Sequence, residues 1–193
     1  TDTMKKQIEI DGKIYGFPEG TYAMGLAYNA ELFEKAGLVD ENGIPKIPQT
    51  YDELTKTASI IKEKTGQAGF GIATMNNNGG WHLMNIAWSN GVSFMENVDG
   101  KWVSTYDCPE FIETLQWYSD LKWKHNAIPD NTLIMPNKLY EMVGAGQLAM
   151  CFSPSLVADS EAYGTPKEKR RENCFGSTQL SVDSCKDLDD RMF

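Results

Sequence analysis

Few residues here could mark a catalyst. There are two histidines, His82 and His125, far apart and outside any metal or triad pattern, so both read as structural or surface residues. No GxSxG, HExxH or GxxxxGK[ST] run occurs, and Gly144 and Gly146 lack the preceding strand of a dinucleotide loop. The four cysteines, Cys108, Cys151, Cys174 and Cys185, have no metal spacing and allow three full pairings, among which the sequence does not choose. Positive charge is scarce: Lys and Arg total 18 against 27 Asp and Glu, a net charge of −9. An acidic body repels phosphate backbones, which excludes nucleic acid as an expected partner. The one basic cluster, Lys167-Glu168-Lys169-Arg170-Arg171, is interrupted by acid and reads as a solvated loop. No apolar run reaches the roughly 18 residues of a membrane helix, so no direct span is expected. No signal-peptide pattern opens the chain and residue 1 is Thr, so it reads as a mature or excised segment.

The 193 residues suffice for one domain with a sizeable core, and 41% hydrophobic with 23% charged content is that of a soluble globular protein. Ile8 and Ile10 alternate with polar residues as in a half-buried strand, and Asp11-Gly12 is a two-residue hairpin turn. KIYGFP is a second short strand, stopped by Pro18, and Gly20–Tyr28 a buried one. Asn29 caps a helix over 30–36, with Gly37 at its C′ position. Thr50 and Glu53 form a capping box for a helix that buries Leu54, Ala58 and Ile61. Gly69–Thr74 is a buried strand, 75–80 a polar loop, and Trp81 starts a helix ended by Asn90-Gly91. Asp99-Gly100 marks a hairpin between FMENV and KWVST. Asp107 and Glu110 form another capping box, for a helix with Phe111, Leu115, Tyr118 and Leu121 inward. A loop over 126–136 precedes the helix NKLYEMVGAG and the strand QLAMCFS, in which Cys151 acts as a small hydrophobe. Residues 155–163 read as helix and 173–180 as strand. Strand–helix alternation without internal repeats argues for an α/β domain.

Three segments carry a family likeness. The first is Asp11-Gly12-Lys13, Tyr15-Gly16-Phe17-Pro18, Leu26-Ala27-Tyr28-Asn29 and Leu32-Phe33-Glu34-Lys35-Ala36-Gly37-Leu38. The second is Pro48, Thr50, Asp52, Glu53 and Leu54, with Tyr51 where many relatives have tryptophan. The third is Val143, Gly146, Gln147, Leu148, Ala149 and Met150, with Val143 in place of the usual phenylalanine. In this order they resemble the family 1 extracellular solute-binding proteins of bacterial ABC importers, the maltose-binding-protein-like sugar class. The resemblance covers about residues 8–158. It implies an α/β lobe of the periplasmic-binding-protein type II fold, a mixed central sheet flanked by helices. Residues 1–193 are then a single domain, mainly the second lobe of a two-lobe protein, with the hinge or crossover strands within 8–28.

Sugar sites need flat aromatic faces for ring C–H groups and planar polar groups for hydroxyls. Trp81, after a polar Gly-rich loop at a strand end, is the leading candidate, whereas Trp88, deeper in the same helix, reads as core. Tyr22 stands four residues after the crossover proline, where the resemblance implies a ligand contact; the carboxylate of some relatives is absent there, and Glu19 lies three residues earlier. Asn77 and Asn78, with Asn76, supply amides that could equally serve a turn. Ser153 and Ser155 could offer hydroxyls at the end of QLAMCFS. Pro154 and Leu156 occupy positions where relatives often carry glycine and tryptophan, which removes one stacking platform.

The expected function is non-catalytic capture of an extracellular solute, a mono- or oligosaccharide, by lobe closure, and its delivery to ABC permease subunits through the full-length protein. No cofactor and no metal is expected, and the protein would be extracellular or periplasmic, tethered as a lipoprotein. The alternatives are a glycoside-processing enzyme domain, which would need a carboxylate pair across a cleft, and a same-fold receptor for a non-sugar solute.

Overall fold

In the computed structural model, residue 5 and residues 8–17 and 24–154 are described. The strands are β1 (Glu9–Ile10), β2 (Lys13–Ile14), β3 (Met24–Tyr28), β4 (Ala68–Gly71), β5 (Met95–Val98), β6 (Lys101–Ser104) and β7 (Leu148–Pro154). The α-helices are α1 (Ala30–Ala36), α2 (Tyr51–Thr65), α3 (Asn78–Ser89), α4 (Pro109–Trp123) and α5 (Pro136–Gly144).

The run Leu148–Ser153 is apolar but for its last residue, and a strand buried on both faces needs such a run. It forms the middle of a three-stranded sheet, β3–β7–β4. β3 is antiparallel to β7, with Leu26 opposite Phe152 and Tyr28 opposite Met150. β4 is parallel to it, with Phe70 opposite Met150. One face of the sheet packs Leu26, Phe70, Met150 and Phe152 against α1, α2 and residues of α3 and α4. The other packs Ala27, Leu148 and Cys151 against α5 through Leu139, Tyr140 and Val143. A mixed sheet with helices on both faces is the expected α/β class. Burial pushes the Cys151 thiol pKa up, in keeping with a small hydrophobe.

Local signals account for much of the rest. The Asn29 side chain accepts from Leu32 N (3.0 Å), as an N-cap should, and donates to Val143 O (2.8 Å), tying α1 to α5. Gly37 closes α1 at φ 73°, a left-handed geometry glycine adopts without strain. Leu54, Ala58 and Ile61 are fully buried on α2. Asp11-Gly12 and Asp99-Gly100 both turn with positive φ between antiparallel strands.

Several expectations need correction. Thr50 Oγ1 accepts from Glu53 N (3.1 Å), but Glu53 bonds Gln49 N (2.7 Å), so the capping box is made on one side only. α4 is capped by Cys108 without a side-chain bond, because Asp107 sits one residue too early. On α4, Leu115 is 45% exposed while Thr114 is buried, its hydroxyl on Glu110 O (2.8 Å) and under the amide of Asn90 (3.1 Å). The β1–β2 hairpin leaves Ile10 exposed rather than half-buried. β4 ends at Gly71, short of Thr74, and α3 starts three residues before Trp81. The helix over 155–163, the strand over 173–180, the basic cluster 167–171 and the hinge segment 18–22 lie outside the described residues. No helix among the described residues is long and apolar enough to cross a membrane.

Candidate functional site

β4 and β7 run in one direction and β3 in the other, so one edge of the sheet collects the ends of β4 and β7 and the start of β3. Open α/β sheets present ligands at such carboxyl ends. Beyond Gly71 the chain passes Ile72 and Ala73, both buried, into a 3₁₀ turn, Met75–Asn77, and then α3. Asn76 (φ 54°) and Asn77 (φ 65°) are both left-handed, a geometry asparagine tolerates better than most residues. This double reversal lets α3 begin at Asn78 and run through Gly79-Gly80, with no side-chain cap at its start.

The turn is fastened from the side by the segment before α5. Thr74 N and Met75 N donate to Ile134 O (3.0 and 3.2 Å), the Thr74 hydroxyl bonds Thr132 O, and the Asn76 amide reaches Met135 Sδ (3.5 Å). In the sequence, 126–136 reads as a plain loop, without this role. Backbone acceptors carry no side-chain signal; only the polar Thr132 and the two prolines hinted at a fixed segment.

Among the residues expected at the site, Asn77 is exposed, and Asn78 is half-buried with its amide on Met75 O (2.7 Å). Trp81 lies half-buried in the first turn of α3, its ring edge-to-face with His82 at 5.0 Å. Ser153 is 1% exposed and its hydroxyl donates to Pro154 O (3.2 Å), while Pro154 stands opposite Met24 on β3. One edge thus brings together Asn77, Asn78, the helix start that carries Trp81, and Ser153. Glu19, Tyr22 and Ser155 lie outside the described residues. Trp88, read as core, is 47% exposed, with its ring against Phe94.

His82 is fully buried, and neither ring nitrogen has a partner among the described residues. Burial holds its pKa down from 6.5 to about 4, so the ring is neutral at neutral pH. The edge offers an indole and planar amides, the equipment for a polyhydroxylated ring, and no grouping of metal-ligating side chains occurs among the described residues.

The family profile described as bacterial extracellular solute-binding protein matches residues 1–169. The chain belongs to that family. It is 32% identical over 161 residues to a protein of Brucella abortus (strain 2308), covering 83% of this chain and 37% of that protein. The fold is similar to maltose-bound MalE3 of T. maritima (TM-score 0.69, 24% identity, 86% of this chain and 42% of that one). It is also similar to the GacH receptor of Streptomyces glaucescens, crystallised unliganded and with acarbose (TM-score 0.71, 21% identity, 95% of this chain and 44% of that one). The fold is therefore a periplasmic-binding-protein type II lobe, and the chain spans less than half the length of the relatives it matches.

Proposed function

We propose that the chain is mainly the second lobe of a receptor that captures a mono- or oligosaccharide outside the cell and hands it to an ABC permease. The observation that carries this reading is the strand-end edge, where the Asn77–Asn78 turn and the first turn of α3 with Trp81 follow β4. Trp81 supplies a stacking face, and Asn77 and Asn78 bond hydroxyls. Tyr22 and Glu19 are assigned to the same ligand from the crossover segment, and Ser155 from the end of β7. Ser153, with its hydroxyl engaged, shapes the strand end instead. The family membership and the likeness to maltose- and acarbose-bound proteins support a carbohydrate over other solutes. Ligand closes two lobes about a hinge within residues 8–28, shifting a pre-existing open–closed equilibrium. No bond of the sugar is broken. The full-length receptor is extracellular or periplasmic, tethered as a lipoprotein.

The test is Trp81→Ala in the two-lobe protein. Loss of one stacked face is expected to weaken sugar binding about tenfold, about 1–2 kcal/mol, with little change in melting temperature. Unchanged affinity by calorimetric titration would remove Trp81 from the site. A large drop in melting temperature with affinity retained would make it a packing residue.

A further inference from the structure

A cavity of about 100 Å³ opens at the far end of α3 from Trp81, where α2, α3 and α4 meet. Its walls include the rings of Tyr51 and Trp117, edge-to-face with centroids 4.9 Å apart. Both rings are pinned at their polar ends. The Tyr51 hydroxyl lies 2.6 Å from Ser89 Oγ, and Trp117 Nε1 donates to Thr55 Oγ1 (2.9 Å). The remaining polar wall has spent its donors. The Asn90 amide gives both its protons, to Glu110 O (2.8 Å) and Thr114 Oγ1 (3.1 Å), and the Thr114 hydroxyl donates to Glu110 O.

What remains for a visitor is two aromatic surfaces and two carboxylates. Asp52 and Glu113 line the opening, both exposed, and neither joins an ion pair among the described residues. An anion needs donors, and the cavity has none to spare. A cation with a short apolar stem suits what is there: its charge sits between the carboxylates and against the rings, and its methylenes lie on the aromatic surface. We propose that this cavity binds an alkylguanidinium or alkylammonium group, held by Trp117, Tyr51, Glu113 and Asp52. Such a group comes either as a small organic cation or as an arginine or lysine side chain of another protein. The inference is independent of the sugar reading.

The experiment follows the Trp117 indole N–H resonance in ¹H–¹⁵N spectra of the 193-residue chain, assigned with Trp117→Phe. The probes are ethylguanidinium chloride, n-propylammonium chloride and acetyl-Gly-Arg-Gly-amide, with sodium chloride at equal ionic strength and acetyl-Gly-Ala-Gly-amide as controls. The expected result is a saturable shift with the three cationic probes and none with the controls. Glu113→Gln and Asp52→Asn, both at exposed positions, should each weaken it about fivefold. Tighter binding of the arginine peptide assigns the site to a protein partner; tighter binding of the free cations assigns it to a small molecule. A linear, unsaturable shift, no shift, or unchanged affinity in both variants overturns the proposal.

Discussion

Gly69→Ala is expected to cost about 3 kcal/mol or more, at or beyond the upper end for overpacking a core. Gly69 lies in β4 directly against the Ala58 backbone of α2. A β-carbon there would stand 2.2 Å from Ala58 O and 2.4 Å from Ala58 Cα. Those are backbone atoms in the middle of a fifteen-residue helix, so no rotamer can relieve the clash. Either α2 lifts from the sheet, opening the packing around Leu54, Ala58 and Ile61, or β4 shifts on β7. Marginal domain stability, about 5–15 kcal/mol, leaves little reserve for either. Gly71, two residues on, is the control. Its added methyl would meet only side-chain carbons, Leu139 Cδ1 at 3.1 Å and Leu148 Cδ2 at 3.3 Å, which can shift. Urea melts should show Gly69→Ala with a much lower midpoint and Gly71→Ala nearer the parent. Overlaid melts for Gly69→Ala and the parent would mean that α2 does not lie this close to the sheet.

Acidification is expected to destabilise the chain through His82 by up to about 3 kcal/mol. The folded state holds the ring pKa at about 4, below its ordinary 6.5, because burial penalises an imidazolium that has no partner among the described residues. The unfolded chain therefore takes up the proton first as pH falls. The neutral ring's full stability is present above about pH 6.5, declines between about 6.5 and 4, and is lost below about 4. His82→Leu removes the titration while keeping an apolar side chain. Stability measured by urea melts from pH 7.5 to 4 should fall more steeply for the parent than for this variant. Parallel curves would show that the ring finds a partner or water when protonated.

What could be read from the sequence was what short-range chemistry decides. Asn29 and Gly37 frame α1 because a cap and a left-handed terminus act within a few residues of their own helix. Asp11-Gly12 and Asp99-Gly100 fix hairpins for the same reason. The start of α3 was not legible: Gly79-Gly80 are poor helix formers, and only the left-handed pair Asn76–Asn77 together with the docking of Thr74 on Ile134 O starts the helix ahead of them. On α4, apolar spacing favoured Leu115 for burial, but the neighbouring Thr114 is the one that can answer the Asn90 amide. At the candidate site, the strand-end position of 75–81 followed from element order. The engaged hydroxyl of Ser153 did not, because it depends on local backbone geometry.

Carbohydrate capture is tested most plainly by calorimetric titration of the full-length protein carrying this chain with a panel of mono- and oligosaccharides, followed by recovery of the ligand. The expected result is saturable binding of at least one carbohydrate at about micromolar affinity, about −8 kcal/mol, with the sugar recovered unaltered. Failure of every carbohydrate to bind while a polyamine or phosphonate does, or release of a cleaved sugar, would contradict it.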